Sequence, residues 1–150
     1  KYLHPDEEAF FVSGPNFPVL TINEIPVGLA ICYVLSIPKH AAAAHEHGAQ
    51  LYVASVAKTL DGVNRASQRL AAIAREYAIP VLMANCVGPA DNVESAGGSA
   101  VWNHEGQQLD QLNSTQEGLI AYDMITGAIT KQIVNLAETD GQDLLRALVH

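Results

Sequence analysis

The chain has 150 residues, 49% of them hydrophobic, with a formal net charge of −8 and a pI near 5.0. That is one domain's worth of chain, able to bury roughly 70% of its unfolded surface. The acidic balance excludes nucleic-acid phosphates and anionic membrane surfaces as partners, since both call for clustered Lys and Arg.

The opening residues, Lys1-Tyr2-Leu3-His4-Pro5-Asp6-Glu7-Glu8, include no Met and are dense in functional groups. A domain boundary is more often bland and frayed, so this start reads as a chain cut inside a working domain. Residues 17–25 alternate loosely and suggest a strand. Residues 26–32 (Pro-Val-Gly-Leu-Ala-Ile-Cys) form a mostly apolar run, the pattern of a strand covered on both faces. Pro38 then opens an Ala-rich helix over residues 39–47, stopped by Gly48. Residues 50–55 are the next buried strand. The longest helix is expected from about Asp61 to Ala78, with an apolar stripe of Val63, Ala66, Leu70, Ile73 and Tyr77 at spacings of three and four. Residues 79–85 follow as another buried strand. Residues 26–85 therefore read βαβαβ, which calls for mainly parallel pairing and an α/β fold.

Beyond residue 85 the pattern changes. Residues 88–92 and 94–98 read as loop. Residues 99–103 and 118–123 look like antiparallel strands, with a turn near Glu105-Gly106. A terminal helix is expected over residues 138–149. No internal repeat, linker or low-complexity stretch stands out. No apolar run approaches the roughly 20 residues of a membrane span. No signal peptide opens the chain. Cys32 and Cys86, the two cysteines, lie in apolar runs and suit free thiols in a reducing cytoplasm.

Cys32 closes a buried strand just ahead of a turn and a helix. Sites in open α/β sheets gather at the carboxyl ends of strands, and the amides of a following turn favour a thiolate and an oxyanion. An inert buried thiol is the alternative, and Cys86, which also follows a strand, has the same position. Glu7 and Glu8 follow His4 and Asp6. They read either as a carboxylate serving the nucleophile or as a solvated acidic turn. Asn85 can reach a ligand from a strand end or satisfy loop backbone. His40, His45 and His47 lack the spacing of three or four that a helical metal pair needs, and Gly97-Gly98-Ser99 lacks the helix of a phosphate loop, so neither a metal nor a cofactor is expected.

Set in order, several segments resemble the nitrilase (carbon–nitrogen hydrolase) superfamily. They are Tyr2-Leu3-His4 with Glu8, Phe10-Phe11-Val12-Ser13-Gly14, Gly28-Leu29-Ala30-Ile31-Cys32-Tyr33 and Gly48-Ala49-Gln50-Leu51. Ala54-Ser55, residues 69–74, residues 80–85, residues 97–102 and Glu117-Gly118-Leu119 complete the set. The match runs from residue 1 to about residue 130 and corresponds to the C-terminal half of that fold. No single piece is decisive; their order and spacing are.

The resemblance implies an α-β-β-α sandwich, assembled as a homo-oligomer. It also implies a Glu-Lys-Cys triad with a second, supporting Glu. Cys32 matches the nucleophile and Glu8 the supporting Glu, with Glu7 as the adjacent alternative. The family lysine falls immediately before Lys1, and a shift of one would make it Lys1. The first Glu belongs to the half not matched here. Tyr33, Ser55 and Asn85 are the pocket candidates, and a small amide, carbamoyl amine or nitrile is the implied substrate. Val34 and Pro38-Lys39 depart from the family, which often has an acidic residue after Cys-Tyr and a Pro-Glu pair. A non-catalytic assembly module keeping the same half of the fold is the competing reading. A flavodoxin-like binding domain would need a phosphate loop that the sequence lacks.

Overall fold

The computed structural model describes residues 3–14, 19–90 and 93–134. Lys1, Tyr2 and the expected helix over residues 138–149 lie outside them. A mixed six-stranded sheet organises the chain, in the order β1-β2-β3-β4-β7-β8. Strands β2 (Ile25–Ile31), β3 (Leu51–Val56) and β4 (Val81–Asn85) are its parallel centre. Helices α1 (Pro38–Glu46) and α2 (Leu60–Tyr77) are the crossovers. This is the βαβαβ unit expected from periodicity. β1 (Val19–Ile22) folds back on β2 as an antiparallel hairpin through Asn23 and Glu24, so the run expected as one strand is two. On the other side, β7 (Ala100–Trp102) pairs antiparallel with β4, and β8 (Gln108–Gln111) with β7.

The sequence explains which face is covered by helices. Tyr52, Ala54 and Val56 alternate along β3, and Val81 and Met83 along β4; all are buried with Ala30, Ala100 and Trp102. The stripe of α2 meets them with Val63, Ala66, Leu70 and Ile73. Small residues let α1 approach closely. A Cβ on Gly28 would lie 2.9 Å from the Ala44 Cβ, so a side chain there would displace the helix. Gly48, at φ 82°, ends the α1 segment, as its position after the Ala run predicts.

The opposite face is only partly covered. Leu29, Val53 and Leu82 are half-buried, while Leu20, Ile22 and Ile31 are 48%, 53% and 52% exposed. A hairpin of β9 (Gly118–Tyr122) and β10 (Ile129–Ile133) reaches one end of it. Leu119 and Ile120 there line a cavity of about 190 Å³ with Val53, Leu82 and Val101. Lys131 on β10 ties the hairpin to β8 through Asp110, at 2.6 Å. That contact, followed by the Gln111 N–H, holds the Asp110 carboxyl below its ordinary range.

Two expectations are corrected. The stretch read as loop contains β5 (Val87–Ala90) and β6 (Val93–Ala96), an antiparallel pair. Gly88 and Pro89 argued for a loop, but a two-stranded ribbon outside the main sheet accepts both, because one edge of each strand needs no partner. β8 and β10 carried no strand signal. Gln108–Gln111 and Ile129–Ile133 are largely polar segments at sheet edges, without the apolar alternation that marks a strand. No helix among the described residues is long and apolar enough to cross a membrane.

Candidate active site

The parallel strands β2, β3 and β4 deliver Cys32, Ser55 and Asn85 to the same end of the sheet. Ser55 stands beside Ile31 in the β2–β3 register, and Asn85 beside Val56 in the β3–β4 register. Cys32 is the first residue of a 3-10 turn, Cys32–Ser36, rather than the last residue of the strand. Its φ is 45°, a left-handed value that costs an L-residue with a side chain roughly 1–3 kcal/mol. The turn is anchored from below: Val34 and Leu35 are 1% and 3% exposed, and the Ile37 N–H donates to the Val34 carbonyl. Ile31, which precedes the turn, makes no side-chain cap. The first N–H groups of a helical turn lack partners inside it, and Cys32 is the first residue of this one.

Cys86 differs. It is exposed, and its thiol donates to the Ser95 hydroxyl at 3.1 Å, with Ser95 itself 1% exposed. Both cysteines are free. The strain at Cys32 separates two thiols that sequence position leaves equal, and no residue type in the sequence announces it.

The acidic turn reaches the same place. Pro5–Glu7 is a 3-10 turn capped by His4. The His4 N–H donates to Glu7 Oε2 at 2.8 Å, and the Asp6 N–H donates to His4 Nδ1 at 3.3 Å. The His4 ring meets the Tyr33 ring edge to face, centroids 5.0 Å apart. The turn carrying Glu7 and Glu8 therefore packs on the residue that follows Cys32. Glu7 is occupied in the cap, whereas Glu8 is exposed.

Ser55 is exposed on the partly covered face, and Tyr33 is half-buried. Asn85 has a structural task. Its Oδ1 accepts from the Lys58 N–H at 2.8 Å, and its Nδ2 donates to the Lys58 and Gly97 carbonyls at 3.1 and 2.7 Å. It staples the loop after β3 to the segment before β7. It also lines a cavity of about 300 Å³ with Cys86, Ser99 and Glu117.

The histidines on and just after α1 do not converge. His40 is buried, with Nδ1 2.9 Å from the Tyr52 hydroxyl; His45 lies over Tyr77; His47 Nδ1 is 2.7 Å from the Ala43 carbonyl. Burial holds the His40 imidazole below its ordinary value and the Tyr52 hydroxyl above its own. Among the described residues, no group of three His, Cys, Asp or Glu side chains converges as metal ligands do.

Residues 3–133 match the family model described as carbon-nitrogen hydrolase. A probable nitrilase of Schizosaccharomyces pombe is 28% identical over 123 residues, covering 81% of this chain and 44% of its own length. The amidase from Nesterenkonia sp. AN1, of the nitrilase superfamily, superposes with a TM-score of 0.64 at 26% identity. The alignment covers 99% of this chain and 54% of that one. A variant of that amidase in complex with butyramide superposes with a TM-score of 0.65 at 25% identity, with the same coverages of 99% and 54%. Another variant, with a TM-score of 0.65 at 26% identity and again 99% and 54% coverage, carries the acetamide moiety of fluoroacetamide on its active site cysteine. The chain thus spans about half the length of the proteins it matches.

Proposed function

The chain belongs to the carbon–nitrogen hydrolase family, and from that premise we infer that it carries the nucleophile of an enzyme cleaving non-peptide carbon–nitrogen bonds in small amides. The observation that carries the reading is the left-handed backbone of Cys32 at the carboxyl end of β2. Strain of this kind persists where surrounding structure over-determines it, and it clusters at working residues. A small aliphatic amide is the favoured substrate class, because the butyramide-bound relative holds one; carbamoyl amines and nitriles are the wider class.

The chemistry follows from the thiol. The Cys32 thiolate attacks the amide carbon, a carbon–sulfur bond forms, and the carbonyl electron pair moves onto oxygen. Turn N–H groups hold that oxyanion. The tetrahedral species collapses, the carbon–nitrogen bond breaks, and the amine leaves with a proton from a carboxylic acid. The resulting carboxylate takes a proton from water as water attacks the thioester, which releases the acid product and the thiolate. By the family resemblance the proton-carrying Glu belongs to the half not matched here, and the Lys falls immediately before Lys1 or, with a shift of one, is Lys1. Glu8 is the supporting carboxylate, preferred to Glu7 because Glu7 is engaged in the His4 cap. Tyr33 and Ser55 flank the scissile group, and Asn85 shapes the loop behind them.

The exposed face of the sheet fits the inner face of a sandwich. We assign it to packing against a second sheet in the intact domain, with homo-oligomers as the working form. A reducing cytoplasm is the compartment we propose, and the two free thiols are compatible with it.

Ammonia release from butyramide and its shorter homologues tests the reading in the intact enzyme. Cys32→Ala should lose turnover by about 10⁴-fold or more, as removal of a nucleophile does. Turnover that survives in Cys32→Ala would remove the proposal.

A further inference from the structure

We propose that His4 is a positioning residue, which holds the acidic turn against the strained segment that begins at Cys32. The inference rests on the reading of Cys32 as nucleophile and adds to it a residue that neither the family resemblance nor the comparisons assign.

Three contacts converge on His4. Its main-chain N–H is held by the Glu7 carboxylate, its Nδ1 by the Asp6 N–H, and its ring by Tyr33. The first two build the turn that presents Glu8, and the third docks that turn on the nucleophile's neighbour. Because Nδ1 accepts from Asp6, the neutral ring carries its proton on Nε2. Asp6 Oδ2 also lies 3.2 Å from Nδ1. Asp6 therefore has both its N–H and its carboxylate within reach of Nδ1.

The elbow needs such a buttress. Val34 and Leu35 pin the turn to the core, but Tyr33 is only half-buried. An edge-to-face aromatic contact fixes a ring's orientation as well as its distance. Without it, the Cys32 backbone keeps its strain and loses one of the contacts that over-determine it. The turn that carries Glu8 would lose that contact with the Cys32 segment at the same time. As a positioning residue His4 acts through Tyr33 and the acidic turn, so the expected effect is on rate rather than on affinity.

Acrylamide is the probe. The Cys32 thiolate adds to its terminal carbon, and the proton is taken up at the carbon beside the carbonyl. Inactivation of the intact enzyme is followed as kinact and KI, with the adduct located by peptide mass. His4→Ala should lower kinact about tenfold, the scale of a small misplacement of a reacting group, with KI changed less than about twofold. His4→Phe keeps the ring on Tyr33 and should recover most of the rate; His4→Gln keeps an acceptor for Asp6 and should recover little. A kinact in His4→Ala equal to the parent's overturns the proposal, as does equal loss in all three variants, which would mark a general folding role. Failure of the underlying reading looks different: Cys32→Ala would then still form the adduct at the same rate.

Discussion

At the residue scale, the chain has two cysteines of equal sequence standing and unequal structure. Cys32 bears a left-handed backbone and opens a 3-10 turn; Cys86 spends its thiol on Ser95. The family motif pointed to Cys32, while the strain that supports it was invisible to residue type. Strand-end position predicted a thiol in extended backbone, and a strand-end residue can leave its strand in either of two directions. Asn85 was legible as a strand-end polar residue, and its bonds to Lys58 and Gly97 depend on loops whose paths periodicity does not describe. His40 gives a pH-dependent prediction. Burial lowers its folded-state value, so above about pH 6.5 both folded and unfolded chains hold it neutral. Below that, the unfolded chain binds a proton that the folded chain resists, and stability falls as pH drops toward the lowered value. His40→Gln should flatten the fall in Tm between about pH 7.5 and 5.5. An unchanged slope, measured by scanning calorimetry, would mean that other groups carry it.

At the element scale, the parallel centre was readable because its strands are continuous apolar runs and the intervening helices show period 3.6, although the runs are covered on one face and only partly on the other. The flanks were not. β5, β6, β8 and β10 are short, polar or glycine-bearing, and each pairs with its neighbour in the chain through backbone hydrogen bonds that side-chain periodicity does not report. The close approach of α1 to β2 is the element contact on which the Cys32 segment depends, since that segment joins the two. Gly28→Ala places a Cβ 2.9 Å from Ala44, and overpacking of that kind should cost about 1–3 kcal/mol in urea unfolding. A midpoint equal to the parent's would show that the helix can shift freely.

At the scale of the whole molecule, one face of the sheet has its helical layer, while among the described residues the β9–β10 hairpin reaches one end of the other. Leu20, Ile22 and Ile31 are left about half exposed there. Contiguous apolar surface of this kind drives association. The 150-residue chain by itself should self-associate, and Leu20→Lys with Ile22→Lys should shift it toward monomer in light scattering. A monodisperse parent monomer would contradict the assignment of this face to a second sheet. The βαβαβ core and its helical cover could be read from the sequence; the half-open face followed only from the family resemblance, because periodicity reports which residues are buried and not what buries them.

The central claim is that Cys32 is the nucleophile, and covalent trapping tests it most directly. The intact enzyme is treated with fluoroacetamide, whose fluoride is displaced by an attacking thiolate, and both cysteine peptides are followed by mass. The account predicts an acetamide adduct that grows on Cys32 at least about tenfold faster than on Cys86, since a positioned thiolate outpaces a merely exposed thiol. Equal labelling of the two, or labelling that favours Cys86, would contradict it.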